Sequence, residues 1–393
     1  MKVYLDNSAT TPLNPYVLEA MLPFYTEKFG NAASIHSFGR EANRAVSDAR
    51  EIIAECINSR PSEIYFTSGG TESDNWALKG AVSVSKNKNK HIITTLIEHP
   101  AILNTCAELE KQNVKVTYLK PSKEGIINIK NLSESITEDT ILSTIMFANN
   151  EIGTIQPIKE AAAICRDFGV LFHTDAVQAM DSQKIDVKDL GVDMLSMSAH
   201  KFHGPKGIGV LFLKTGSRLG KLINGGEQER GLRAGTTPTP LIVGMAKALE
   251  ISNRDREINN ERILRLRNRF IDMVLSEIPY AYLNGCRDSR LPNNANFSFA
   301  FIEGESILMR LDLAGIAVSS GSACASGSLE ASHVILSLGV KEELAHSTIR
   351  FSLGVDTTEQ QMDYVFNVLK KTVDDLRKMS PLYDYEKGIG SYV

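Results

Sequence analysis

The chain has 393 residues, of which 42% are hydrophobic and 23% charged, and its formal net charge at pH 7 is −4. This length predicts two domains, and the composition is ordinary for a soluble globular protein. The nearly balanced charge gives no electrostatic reason to expect nucleic acid or a membrane as a direct partner. Apolar runs are too short to span a bilayer, and the N-terminal residues lead straight into strand-like sequence. We therefore expect no signal peptide and a cytoplasmic location.

Short apolar strands alternate with helical patterns in the first part of the chain. The predicted strands are residues 64–67, 91–95, 114–119, 141–147, 170–174, 194–198 and 208–213. Several are separated by segments such as 158–168, whose apolar residues fall at helical spacing. Strands joined by crossover helices predict an α/β fold with a mostly parallel seven-stranded sheet that is covered on both faces.

The character of the sequence changes after Pro240. A long helix is predicted over 241–275, and its many charges indicate a solvated face. It is followed by shorter strands and by a final helix, predicted at residues 295–301, 317–319, 348–353 and 358–379. This pattern predicts a second, smaller α+β domain. We place the large domain at residues 14–257 and the small domain at residues 1–13 together with 258–393.

A lysine between two histidines is the most informative local feature. Lys201 follows the strand at 194–198 and precedes a glycine-rich turn, and Asp175 follows another buried strand. If both strands belong to one parallel sheet, these two side chains face the same crevice. A desolvated lysine can form an imine with an aldehyde cofactor, and a carboxylate keeps a pyridine nitrogen protonated. Taken alone, Lys201 would be a surface charge, and Asp175 would be a helix cap with equal probability.

A glycine-rich turn at residues 67–73 joins a predicted strand to a predicted helix. Its backbone N–H groups and the helix dipole could hold a phosphate, although a capping box on an ordinary helix is the alternative. Ser198 and His200 could close on the same phosphate from a neighbouring strand end. His99 follows another strand and could stack on a planar cofactor or move protons. The polar run 149–153 at the same sheet edge contains either turn formers or ligands.

The chain has five cysteines in an odd, unpaired pattern that argues against a disulfide framework. Three of them are expected to be buried at helical spacing: Cys56, Cys106 and Cys165. Cys286 follows a turn and is expected to be exposed. Cys324 lies in the small, polar loop 319–328, which predicts a nucleophile on a mobile tether or, alternatively, an accidental exposed thiol. Arg350, between apolar residues of a strand, needs an anion, either a substrate carboxylate or a structural ion pair.

Taken in order, these motifs resemble those of the cysteine desulfurases of the NifS/IscS type. That group lies in the class V aminotransferase family of fold-type I pyridoxal 5'-phosphate (PLP) enzymes. The resemblance runs nearly end to end, over residues 4–12, 66–73, 149–153, 198–209, 229–236, 319–324 and 349–354. It implies a PLP cofactor, a homodimer and L-cysteine as substrate.

The resemblance also implies a role for each residue. Lys201 would bind the cofactor and move the substrate Cα proton, Asp175 would pair with the ring nitrogen, Gln178 would bond the ring hydroxyl, and His99 would stack on the ring. The phosphate would be held by Gly70, Thr71, Ser198 and His200, with Thr236 reaching the phosphate of the other subunit. Asn150, beside the cofactor, and Arg350 would bind the substrate carboxylate.

The implied reaction removes sulfur from L-cysteine, gives L-alanine, and leaves a persulfide on Cys324. His99 is a candidate for assisting thiol deprotonation, because only a thiolate attacks. The sulfur would pass to an iron–sulfur scaffold protein or a tRNA-thiolation protein, and Cys324 could be a transient iron–sulfur ligand shared with a scaffold. Two alternatives stay open. A related PLP enzyme, such as an aminotransferase or selenocysteine lyase, would need Lys201 but not Cys324. A non-catalytic partner protein would need neither residue.

Overall fold

The computed structural model describes residues 1–320, 331–384 and 387–390. Its strands are β1 (Val3–Tyr4), β2 (Ile64–Thr67), β3 (Lys90–Thr95), β4 (Val114–Leu119), β5 (Thr140–Thr144), β6 (Leu171–Asp175), β7 (Met194–Ser198), β8 (Gly209–Leu213), β9 (Ala281–Leu283), β10 (Asn294–Phe299), β11 (Ile316–Ala317), β12 (Thr348–Ser352), β13 (Tyr383–Asp384) and β14 (Ile389–Gly390). Its helices are α1 (Pro15–Met21), α2 (Pro23–Thr26), α3 (Ser37–Cys56), α4 (Gly70–Val84), α5 (Pro100–Glu110), α6 (Ile129–Ser135), α7 (Ile158–Asp167), α8 (Val187–Leu190), α9 (Thr239–Glu277), α10 (Gly304–Leu313), α11 (His333–Ser337), α12 (Glu342–Ala345) and α13 (Glu359–Met379).

The main sheet has seven strands in the order β2-β8-β7-β6-β5-β3-β4. The strands from β7 to β4 are parallel, whereas β8 runs antiparallel to both β7 and β2. The predicted mostly parallel, seven-stranded α/β sheet is therefore confirmed. Parallel strands end at one edge of a sheet, so Asp175 of β6 and Ser198 of β7 lie close together there.

Helices cover both faces of this sheet, which is why most residues of its inner strands are buried on both faces rather than alternately buried and exposed. Successive residues of a strand enter different hydrophobic clusters. Ile92 and Leu211 pack with residues of α4 and α5, whereas Ile93 and Val210 pack with residues of α3, α7 and α9. The sheet is therefore packed on both faces.

A second hydrophobic cluster forms around β10, β12, α13 and the C-terminal half of α9. The long helix α9 joins the two regions, since Ile242 packs in the first cluster and Phe270 in the second. The predicted boundary at 257/258 falls within this continuous helix. The division into domains stays a prediction. In the described ranges, no helix combines the length and apolarity that a membrane span requires.

The N-terminal segment connects the second cluster to the main sheet. β1 pairs in parallel with β11, and Leu5 is fully buried in the second cluster. The chain then crosses to the turn after β7, where the backbone N–H of Thr11 donates to the carbonyl of His200 over 3.0 Å. Residues 6–10 therefore lie against the carboxyl edge of the main sheet.

Candidate active site

Lys201 lies in a short 3-10 turn directly after β7. Its Nζ donates hydrogen bonds to the carbonyls of Ser8 at 2.5 Å and Ala9 at 2.8 Å. The side-chain amide of Gln178 donates to the same Ser8 carbonyl over 2.9 Å. Two residues predicted for the site therefore meet at one carbonyl of the N-terminal segment. No local pattern predicts this contact, because it depends on a chain crossing between distant segments.

Asp175 ends β6 and lies opposite Ser196 of β7 in the sheet register. One carboxylate oxygen accepts a hydrogen bond from the N–H of Val177 over 2.9 Å. Burial raises the pKa of Asp175, and the nearby His99 and Lys201 together with the Val177 N–H oppose this rise. The structure thus brings Asp175, His99 and Lys201 within electrostatic reach of one another.

His99 caps the N-terminus of α5, with its Nδ1 accepting from the N–H of Ala101 over 3.1 Å. Burial lowers the pKa of its imidazole, Asp175 partly offsets this, and Lys201 and His333 lower it further. The ring is half-buried, and the capping bond fixes its Nδ1 as an acceptor. This orientation leaves Nε2 as the nitrogen that can carry a proton.

Glu98 is a buried carboxyl group that the sequence did not single out. Its Oε1 accepts hydrogen bonds from Thr95 Oγ1 and from the N–H of Met146, both over 2.9 Å. Burial raises the pKa of Glu98 to about 8, and the charge of Asp175 adds to the rise. The only available signal was its position between a buried strand and His99.

The glycine turn between β2 and α4 forms a tight cradle. Gly69 has a φ of 156°, which residues with a side chain rarely adopt, and a Cβ on it would lie 3.7 Å from Ser198 Oγ. A Cβ on Gly70 would lie 2.7 Å from a methyl group of Val177. The N-terminus of α4, the turn and Ser198 therefore adjoin one another. Such a combination of free backbone and helix dipole suits a phosphate.

His200 and Thr236 were both predicted to contact this phosphate. His200 is half-buried, and its Nδ1 lies 3.2 Å from Thr10 Oγ1. Burial lowers the pKa of His200 to about 4, with Lys201 and Lys206 adding to the effect, so the ring is neutral at pH 7. Thr236 is exposed on the surface of the single chain.

Arg350 of β12 is buried, with 3% of its surface exposed. Its guanidinium donates to Asp6 Oδ1 over 2.8 Å and to the backbone carbonyl of Asn150 over 2.9 Å. The structural ion pair allowed by the sequence is therefore present. The buried Nε has no hydrogen-bond partner among residues 1–320, 331–384 and 387–390.

The two adjacent asparagines of the 149–153 run differ in their surroundings. Asn149 is fully buried, and its Oδ1 accepts from the N–H groups of Glu151 and Ile152. Its side chain therefore fixes the turn. Asn150 is half-buried, which leaves its amide accessible from the crevice.

A buried polar cluster lies beneath Asp175 and was also missed. His173 contacts Thr144 Oγ1 at 2.8 Å and Ser196 Oγ at 2.9 Å, and its Nε2 lies 3.8 Å from Asp74 Oδ1. Burial lowers the pKa of His173 to about 3, and burial together with the Asp175 charge raises that of Asp74. His173 is therefore neutral at pH 7, and the protonated form of Asp74 is favoured. Their residue types are common in strands and helices, so nothing local marked them.

Cys324, the predicted sulfur acceptor, lies outside the described residues, and so does most of the loop 319–328. The chain on either side is bonded to the site. Ser319 exchanges backbone hydrogen bonds with Arg350, at 2.7 and 3.2 Å, and Ser332 Oγ lies 2.5 Å from Glu151 Oε2. On that same side, His333 Nε2 lies 3.1 Å from the carbonyl of Glu98.

The other cysteines are placed by the structure. Cys106 and Cys165 are buried as predicted, and Cys56 is half-buried against the main core. The predicted exposure of Cys286 is wrong, because the residue is only 9% exposed. The turn before it is tied down, with the N–H of Cys286 donating to Thr154 Oγ1 over 3.0 Å. In the part of the chain that the structure describes, no group of three or more His, Cys, Asp or Glu side chains is arranged to hold a metal ion.

Comparison with known proteins agrees with this geometry. The family model "Aminotransferase class-V" matches residues 3–365. A cysteine desulfurase IscS from Clostridium botulinum (strain Kyoto / Type A2) is 52% identical over 98% of each chain. A solved structure called "NIFS-LIKE PROTEIN" has a TM-score of 0.90 and 38% identity, covering 96% of this chain and 100% of its own. A second, "SspA in complex with cysteine", has a TM-score of 0.80 and 38% identity, covering 90% and 99%. The chain belongs to the class V aminotransferase family, within its cysteine desulfurases of the NifS/IscS type.

Proposed function

We propose that this chain is a PLP-dependent cysteine desulfurase that takes the sulfur of L-cysteine, releases L-alanine, and carries the sulfur as a persulfide on Cys324. The observation that carries the proposal is the meeting of Lys201, Asp175 and the phosphate cradle at one edge of the sheet. The family membership and the cysteine-bound relative support the choice of reaction and substrate.

The residues present fit PLP. Gly70 packs so tightly against Val177 that any side chain would fill the cradle, and the α4 N-terminus faces it. We assign the phosphate to Gly70, Thr71, Ser198 and His200, the ring nitrogen to Asp175, the ring hydroxyl to Gln178, and the ring face to His99. When bound, PLP supplies an electron sink that makes the substrate Cα hydrogen acidic.

The chain's own groups perform the remaining work. We assign the substrate carboxylate to the Arg350 guanidinium and the Asn150 amide. Lys201 Nζ takes the Cα proton and later returns a proton to the carbon skeleton. The Cys324 thiolate attacks the substrate sulfur; an S–S bond forms, the C–S bond breaks, and its electron pair remains with the carbon that becomes the alanine methyl group.

The thiol of Cys324 must lose its proton before it attacks, and His99 is the proposed base. Its lowered pKa favours the neutral imidazole. Because that ring carries its proton on Nε2, it can take the thiol proton only at Nδ1, after the hydrogen bond from the Ala101 N–H has broken. The persulfide then passes to an acceptor, which we propose to be an iron–sulfur scaffold protein or a tRNA-thiolation protein in the cytoplasm. The transient iron–sulfur ligation by Cys324 stays a prediction.

We also propose a homodimer whose two sites are shared. Large apolar side chains are exposed on α1 and on the connection between α2 and α3, including Tyr16, Phe29 and Ile35, and Ile35 is 91% exposed. Several large exposed apolar side chains in one segment support a protein interface there. Thr236 is exposed in the single chain, as expected for a residue that completes the phosphate site of the other subunit. Mixing Lys201→Ala and Thr236→Ala subunits should then rebuild one complete site per mixed dimer, measured as recovered activity.

Replacing Cys324 with alanine tests the reaction. The variant should still bind PLP, seen by its visible absorbance, but should lose sulfide and alanine production from L-cysteine. Cys56→Ser, which changes a half-buried thiol that takes part in none of the site contacts described above, is the matched control and should keep both. Sulfur release at the normal rate by Cys324→Ala would instead favour a lyase or aminotransferase that uses Lys201 alone.

A further inference from the structure

Two polar cavities lie on the side of Lys201 that faces α9. The smaller has a volume of about 20 Å³, and its wall includes Lys201, Gln178, Asp181, His203 and Asn259. A cavity of this size holds a water molecule when polar groups line it. Lys201 therefore borders a space with room for one water molecule, distinct from the phosphate cradle.

The second cavity is larger, at about 220 Å³, and is also more open. It shares Asp181, His203 and Asn259 with the smaller one and extends to Asp255 and Asp356 near the surface. Its volume has room for several waters. Because three side chains line both spaces, the cavities adjoin through a common polar wall.

The groups of the common wall are suited to passing protons. Asp181 accepts a hydrogen bond from Ser252 Oγ over 2.9 Å, and burial raises its pKa against the opposing influence of His203, Ser252 and Arg256. A carboxyl group with a raised pKa exchanges protons closer to neutral pH.

His203 is held at this wall by its backbone. It has a φ of 62°, which is uncommon for a residue with a Cβ, and its N–H donates to Thr11 Oγ1 over 2.8 Å. Its Nδ1 lies 3.1 Å from the carbonyl of Pro12. These contacts fix the imidazole between the N-terminal segment and the two cavities.

We propose that the two cavities form one water-filled passage through which Lys201 exchanges protons with bulk solvent, with Asp181 and His203 as relay groups. The inference rests on the proposed function, in which Lys201 takes and returns a proton while substrate fills the crevice. A proton leaves the Lys201 ammonium for a water of the passage and is delivered to solvent at the outer cavity. A solvent proton returns by the same route, so no electrons are transferred and no bond between heavy atoms changes.

The passage can be blocked at Asn259, which lines both cavities. Asn259→Leu places an apolar side chain across the common wall, whereas Asn259→Ser leaves a polar, wider opening. Wild type and both variants would convert ordinary L-cysteine in D₂O, and mass spectrometry would measure how much alanine keeps hydrogen at Cα. Slower exchange at Lys201 should raise this fraction about threefold in Asn259→Leu and leave it unchanged in Asn259→Ser.

The outcomes separate the passage from the reaction itself. Equal hydrogen retention in all three proteins would refute the passage, and so would an equal rise in Asn259→Ser. If the wild type formed no alanine from cysteine, the proposed function would fail instead. Asp181→Asn provides an independent variant if Asn259→Leu does not fold, and it should raise retention in the same direction; normal retention in Asp181→Asn would exclude the relay.

Discussion

Replacing Glu98 with glutamine should flatten the pH dependence of stability. Unfolded Glu98 ionises near 4.5, whereas in the folded chain burial raises its pKa to about 8. Between these values the folded state binds one more proton than the unfolded state. The contribution of Glu98 to the free energy of unfolding is therefore fully present below pH 4.5. It is lost as the pH rises towards 8, at about 1.4 kcal/mol per pH unit. Glutamine cannot ionise, so this loss disappears.

The substitution is suited to the site because it preserves the observed contacts. The amide oxygen of glutamine can accept from Thr95 Oγ1 and the N–H of Met146 as Oε1 does now. Urea unfolding at pH 5, 6 and 7, with equal cofactor, would give the free energy of unfolding for both proteins. The wild-type value should fall relative to Glu98→Gln by about 2.7 kcal/mol over these two pH units. Glu108→Gln, at an exposed position of α5, is the control. If the free energies of unfolding of wild type and Glu98→Gln changed equally with pH, Glu98 would be ionised in the folded chain.

Three further substitutions test the site. Gly209→Ala would place a Cβ 2.6 Å from Gly69 Cα and 2.7 Å from the Met197 carbonyl oxygen, which would distort the phosphate cradle. A spectroscopic titration should therefore show about tenfold weaker PLP binding. Unchanged binding would mean that the cradle can widen. Arg350→Lys keeps a positive charge near Asp6 but loses the planar guanidinium that can bind a carboxylate with two parallel hydrogen bonds. The KM for L-cysteine should therefore rise about tenfold with little change in kcat. An unchanged KM would show that Arg350 does not bind the substrate. Asp175→Asn removes the charge assigned to the ring nitrogen, so kcat should fall about a hundredfold, and normal turnover would contradict that assignment.

The fold was predictable where the local pattern carried the information. Strands and amphipathic helices each have a characteristic spacing of hydrophobic residues that can be recognised in the sequence. β2, β4 and β7 accordingly begin and end at the predicted residues. The predicted strand 141–147 is too long, because β5 ends at Thr144 although the apolar run continues. The reversal of β8 could not be foreseen either, since strand direction depends on the connection through residues 199–208 rather than on composition.

The candidate site was predictable in its parts but not in its contacts. Lys201 and Asp175 follow neighbouring parallel strands, whose carboxyl ends lie at the same edge of the sheet. The alternation of strand and helix patterns in the sequence was enough to predict this arrangement. The bonds from Lys201 to the carbonyls of Ser8 and Ala9 depend on a tertiary crossing that no local pattern encodes. The raised pKa of Glu98 likewise follows from its burial, and burial is known only once the chain is packed.

The crossing of the N-terminal segment also sets the order in which the site can assemble during synthesis. Val3 pairs with Ile316, and the segment that follows carries the two carbonyls that hold Lys201. At about 5–20 residues per second, the ribosome needs roughly 15 to 60 seconds to make the roughly 300 residues between these partners. The first residues therefore emerge long before the strand that anchors them exists. The lysine turn can form early, but its surroundings are completed only after most of the chain has left the ribosome.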